Sequence, residues 1–106
     1  MLAPLDKAAL VPAINKAKAA NIPLTIFDSA ADTDAYVSFV ATDNVKGGEM
    51  AADRMGKLMN GKGTVAIIPV QPNSASTMDR EDGFEKAIKA KSVSYTHLTL
   101  PTKRIV

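Results

Sequence analysis

Short unbroken apolar runs alternate along this chain with longer stretches whose apolar residues recur every three or four positions. PLTIF (23–27), YVSFVA (36–41) and KGTVAIIPV (62–70) are runs of the first kind. They read as strands covered on both faces, as in a parallel sheet. LAP (2–4) reads as the last residues of another buried strand, and Asp6 can cap the turn after it. Leu10, Val11, Ile14 and Ala17 follow at helical spacing. With Pro12 at a first-turn position, they predict a helix to about Ala20, stopped by Asn21 and Pro23. A second helix is predicted from a cap on Asp43 or Asn44 to about Met59, packing Val45, Met50, Ala51, Met55 and Leu58 and ending at Asn60–Gly61. A third runs to about Lys91 from a cap on Ser76 or Thr77, with Asp79 at capping-box spacing and Phe84, Ala87 and Ile88 facing inward. The order β-α-β-β-α-β-α, joined by short polar turns, is that of an α/β fold with parallel sheets flanked by helices. The pattern is open at its start, as expected of a piece of a larger fold.

The last fifteen residues, SVSYTHLTLPTKRIV, break this pattern. Threonine becomes frequent, acidic residues disappear, and neither a strand nor a helix period holds. The expectation is that ordered structure ends near Lys91 and that residues 92–106 are a non-native tail, which makes its lone His97 a poor metal ligand or base. SYTHLTL would be the next strand if the alternation continued.

Composition narrows the function. Hydrophobic residues make up 46% and charged residues 23% of 106 residues, a globular balance rather than a disordered one. No apolar run is long enough for a membrane span. Without cysteine there is no thiolate metal site, disulfide framework or cysteine nucleophile. All eleven acidic side chains, and all but two of the thirteen basic ones, fall within residues 1–91. The excess positive charge is therefore Lys103 and Arg104, and a basic face for nucleic acid is not expected.

Candidate chemistry gathers where open α/β sheets bind ligands, beyond the carboxyl ends of the strands. Asp28 directly follows PLTIF. Its carboxylate could accept hydrogen bonds from two neighbouring hydroxyls of a polyol, or it could simply form the turn, which spacing alone favours. Arg80, early in the third helix, could donate to ring and hydroxyl oxygens together, or pair on the surface with Asp79 or Glu81. Gly47–Gly48, in the first turn of the second helix, points to close backbone packing, and the Met50, Met55, Met59 series to core. No dinucleotide or phosphate loop, Ser–His–Asp set or carboxylate pair suited to catalysis is present. No enzyme activity, cofactor or metal is therefore expected.

Three segments carry a resemblance: LAPLDKAALVPAINKAKAANIPLTIFDS, FVATDNVKGGEMAADRM and NSASTMDREDGFEKAI. In this order and spacing they resemble type I periplasmic sugar-binding proteins of the ribose-binding type, which deliver substrate to ABC importers. The resemblance covers residues 2 to about 91. It implies two α/β lobes joined by three crossings, with a monosaccharide or related small polyol held between them. On that basis residues 1–41 belong to the first lobe, Thr42 and Asp43 form the first hinge crossing, and residues 44–91 begin the second lobe. It implies that Asp28 takes sugar hydroxyls from the first lobe and that Arg80, in REDGF, contributes from the second. Ser29 stands where ribose binders commonly carry arginine and is a secondary ligand candidate. The implied partners are a sugar and the membrane subunits of an importer, and the implied location of the full-length protein is periplasmic or extracytoplasmic. The alternative is the ligand-sensing domain of a LacI-type regulator, which shares the fold and a similar TDN-x-x-GG segment. NGKGTVAII lacks the Gly-His-basic turn usual in those regulators and favours transport.

Overall fold

The structure, a computed structural model, describes residues 1–91 and 93–97. The elements are α1 (Val11–Ala19), β1 (Thr25–Phe27), β2 (Ser38–Val40), α2 (Asn44–Leu58), β3 (Thr64–Ile67), α3 (Ala75–Lys89) and β4 (Ser94–His97). They form two units with separate cores, joined through residues 41–43.

In the first unit β1 and β2 pair in parallel, from Thr25 with Ser38 to Phe27 with Val40. On the other side of β1 the Leu2 N–H donates to the Thr25 carbonyl at 2.9 Å and the Leu2 carbonyl accepts from the Phe27 N–H at 3.0 Å. LAP thus adds a parallel bridge at the expected place. The Asp6 carboxylate caps the following turn by accepting from the Ala8 and Ala9 N–H groups at 2.8 and 3.0 Å. Ile14 carries α1 onto the strands and meets Ile26 and Ala35 in the core. Of the apolar face predicted for α1, only Ile14 is fully buried, and Leu10 is exposed. A nine-residue helix is about 13 Å long and a three-residue strand about 10 Å, so the helix ends overhang the strand beneath.

The second unit pairs β3 and β4 in parallel, from Thr64 with Ser94 to Ile67 with His97. Its core is Ala52, Val65, Ile88 and Val93, with Met59, Phe84, Ala87 and Tyr95 packed around it. The expectation that order ends near Lys91 is therefore corrected. Val93 is buried and Ser94–His97 continues the sheet, because a strand after α3 gives β3 a hydrogen-bonding neighbour. The side chain of His97 and residues 98–106, most of the tail expected to be foreign, lie outside the described residues.

Helix α2 departs from its predicted packing. Its buried residues are Asn44, Gly48, Ala52 and Gly56, whereas Val45, Met50, Met55 and Leu58 are exposed. The predicted face combined apolar residues at helical spacing, but contact follows the row of small residues four apart. That row lets α2 and α3 meet backbone to backbone. A Cβ on Gly48 would overlap the Arg80 carbonyl oxygen and lie 2.7 Å from the Phe84 nitrogen, and one on Gly83 would overlap the Val45 carbonyl oxygen. Of the methionines expected in the core, only Met59 packs against it.

Helix α3 begins two or three residues earlier than predicted. Its N-cap is Ser74, whose side chain makes no capping bond to the helix.

Candidate functional site

The carboxyl ends of β1, β2 and β3 bring the candidate residues to one side of each unit. At the end of β1 the chain turns through Asp28, whose φ of 67° lies in the left-handed region. Aspartate tolerates that region better than most residues. The turn is closed by the Ser29 N–H donating to the Phe27 carbonyl at 2.8 Å, while the Asp28 N–H extends the sheet by donating to the Val40 carbonyl at 2.9 Å. The backbone role foreseen for a turn-forming aspartate is therefore real. It leaves the carboxylate exposed on the wall of a cleft of about 590 Å³, with Phe27, Val40 and Thr42.

Asp43 caps α2, its carboxylate accepting from the Lys46 N–H at 3.0 Å. The connection between the two units and the helix cap thus meet at one residue. The neighbouring Asn44 is buried, and its amide bridges two elements. Its Nδ2 donates to the Thr42 carbonyl at 3.1 Å, and its Oδ1 accepts from Arg80 Nε at 2.8 Å. Arg80 is thereby connected to the backbone of the 41–43 connection through a single side chain. The Nε bond uses one of the five guanidinium donors and fixes the plane of the group, and the other four donors belong to the two terminal nitrogens.

Arg80 lines a second cleft, of about 570 Å³, with Gly47, Met55, Ile67, Phe84 and Thr42. Asp28 and Arg80 therefore occupy two adjoining clefts that share Thr42, one on each side of the crossing. Ser29 is placed differently. It is only 3% exposed, and its hydroxyl accepts from the Ser76 N–H at 3.2 Å, across the two units.

Two residues, Phe27 at the first cleft and the buried Asn44, escaped the sequence reading. Phe27 is 38% exposed and stands beside Asp28, where its ring could stack on the apolar face of a sugar. Its place in an apolar run had marked it as core; being the last strand residue before the turn was the available signal. Asn44 had been considered only as a helix cap. Among the described residues no group of three His, Asp or Glu side chains is placed to hold a metal ion, and no helix is long and apolar enough to cross a membrane.

This arrangement has known counterparts. A family model described as a periplasmic binding protein domain matches residues 1–104. The ribose import binding protein of Bacillus subtilis is 32% identical over 91 residues, covering 86% of this chain and 30% of that protein. Among solved structures, an ABC transporter solute-binding protein from Agrobacterium vitis with bound D-fucose superposes with a TM-score of 0.85 at 39% identity, covering 90% of this chain and 34% of that one. A carbohydrate transporter solute-binding protein from Agrobacterium radiobacter in complex with D-arabinose gives a TM-score of 0.82 at 30% identity, with 92% and 35% covered. The chain spans about a third of the length of these relatives.

Proposed function

The chain belongs to the periplasmic binding protein domain family, and from that premise we propose that the full-length protein closes two lobes around a monosaccharide or related small polyol and presents it to the membrane subunits of an ABC importer. It is a binder, not an enzyme, and works outside the cytoplasmic membrane. The named relatives are import or solute-binding proteins, which supports transport over the regulator alternative.

The observation that carries the reading is the pairing of an exposed carboxylate and an aromatic ring, Asp28 and Phe27, in a cleft that reaches the hinge residue Thr42. A carboxylate holds vicinal hydroxyls and a ring covers the C–H face of the same sugar, which is what a site needs to bind a polyol without chemistry on it. Arg80 approaches from the other side of the crossing, its plane set by Asn44, and donates to sugar oxygens when the lobes close. Residues 1–41 then supply the first-lobe wall, Thr42 and Asp43 the hinge, and residues 44–91 the second-lobe wall.

The test is calorimetry on the full-length protein with a panel of pentoses and hexoses. One of them is expected to bind, and Asp28→Asn is expected to weaken it by about 1.5–3 kcal/mol, the scale of a hydrogen bond to a charged group. Binding of no sugar in the panel, or equal affinity in the variant, would overturn the reading of this site.

A further inference from the structure

Besides the covalent crossing, direct contacts join the loop ends of the two units. The Lys7 N–H donates to the Asn73 carbonyl at 2.9 Å. The Asn73 side chain also faces the Asp6 carboxylate and helps to hold it below its usual value. The Ser76 N–H donates to Ser29 Oγ at 3.2 Å, between residues 47 positions apart. Each contact pairs a first-unit loop with Asn73 or Ser76, at the start of α3, and none involves a residue of either hydrophobic core.

The Ser29 contact has a specific physical reason. The first N–H groups of a helix have no partner within it and are normally met by the N-cap side chain. The N-cap of α3, Ser74, makes no such bond, and its hydroxyl lies 3.4 Å from that of Ser76. The hydroxyl that meets the Ser76 amide comes instead from the other unit. Ser29 and Ser74 are 3% and 5% exposed, so water has little access to take over the bond. Asn73 contributes through its backbone as well: its φ of 59° bends the loop that offers its carbonyl to Lys7.

We infer that Ser29 and Asn73 form a latch holding the two lobes directly to each other, with Ser29 a positioning residue that caps α3 in trans and not a ligand of the sugar. This rests on the two-lobe reading above and adds a term to it. In a hinged binder the measured affinity is the intrinsic affinity scaled by the fraction of molecules already in the binding arrangement. Contacts that hold the lobes in one orientation before the sugar arrives set that fraction, and they do so for any sugar.

The test is made without sugar. The chain has no cysteine, so Lys16→Cys on α1 and Lys57→Cys on α2, both at exposed positions, take a donor and acceptor dye for single-molecule distance measurement. Ser29→Ala and Lys7→Pro are each added to this background, proline removing the N–H that donates to the Asn73 carbonyl. Both are expected to shift and broaden the distance distribution. Ser29→Ala should also speed hydrogen exchange of the Ser76 amide roughly fivefold, the scale of one uncharged hydrogen bond. Distributions unchanged in both variants would overturn the latch. If Ser29→Ala loses helical circular dichroism, Lys7→Pro, at a loop residue outside both cores, decides alone. Because no sugar is present, failure of the sugar reading shows in the calorimetry and leaves this outcome untouched.

Discussion

Arg80 donates from Nε to Asn44 Oδ1 at 2.8 Å and so ties the second turn of α3 to the first residue of α2. Asn44 passes the tie on to the Thr42 carbonyl. An arginine proposed to donate to a sugar is therefore also a brace for the connection between the two units, and the two roles can be separated by mutation. Arg80→Ala is expected to lower second-lobe stability by only about 1 kcal/mol, since the group is exposed. It should lower sugar affinity by about 1.5–3 kcal/mol. Asn44→Ala removes the brace and leaves the guanidinium in place, so it should reproduce the stability loss with a smaller loss of affinity. A double-mutant cycle by urea unfolding and calorimetry checks both. Equal affinity losses in the two single variants would make Arg80 a brace alone.

The α2–α3 crossing makes a sharper prediction, because adjacent glycines should respond oppositely. Gly48→Ala or Gly83→Ala drives a Cβ into the carbonyl of the facing helix. Backbone cannot swing aside as a side chain can, so a loss of about 3 kcal/mol, the upper range for overpacking, is expected. A Cβ on Gly47 meets nothing within 4 Å. Gly47→Ala should therefore gain up to about 1 kcal/mol from helix propensity. Chemical denaturation of the three variants distinguishes these outcomes, and destabilisation by Gly47→Ala would contradict the account.

How far the sequence reached follows from the range of each interaction. The caps on Asp6 and Asp43 and the stops at Asn21 and Asn60 involve neighbours a few residues away, and spacing and residue type were enough to find them. The parallel order of elements was legible for the same reason, since each apolar run is bounded by its own turn signals. The buried face of α2 was misread because apolarity was weighed above size. Gly48, Ala52 and Gly56 form the contact row, and their smallness lets α3 approach. The start of α3 was missed by two or three residues because a serine-rich segment offers several equivalent caps. The hydroxyl that meets the Ser76 amide comes from Ser29, 47 residues earlier, and no local pattern announces it.

Asp28 separates fold from function through its backbone. At a φ of 67° glycine and asparagine fit without strain, whereas alanine costs roughly 1–2 kcal/mol. Asp28→Gly and Asp28→Asn should thus keep the melting temperature of the parent protein, and Asp28→Ala should lower it. All three should lose sugar affinity to a similar extent, since each removes the carboxylate. Thermal melts beside calorimetry test this. A glycine variant that binds as tightly as the parent would leave Asp28 with its turn role alone.

Acid stability tests the outer face of the α2–α3 pair. Lys91 Nζ lies 2.7 Å from Asp53 Oδ1, and its aliphatic stem covers Gly56, where a Cβ would come within 2.5 Å of Cδ. The hydrogen bond from Lys91, reinforced by its charge, holds the Asp53 carboxyl below the usual carboxylate value of 3.8. A carboxyl depressed on folding contributes stability that is complete above its unfolded value and disappears as pH falls through the folded one. Stability should therefore be level down to about pH 4 and decline below it. Asp53→Asn should be less stable near neutrality and show a shallower acid decline, and added salt should narrow the difference because the pair is largely exposed. Asp6 is depressed as well, chiefly by the Ala8 and Ala9 amides, so some acid sensitivity must survive in the single variant. The two carboxyls sit in different units. A probe of second-lobe unfolding should therefore respond to Asp53→Asn while a first-lobe probe does not. An acid decline in the second-lobe signal unchanged by Asp53→Asn would show that the Lys91 pair contributes nothing to holding that lobe.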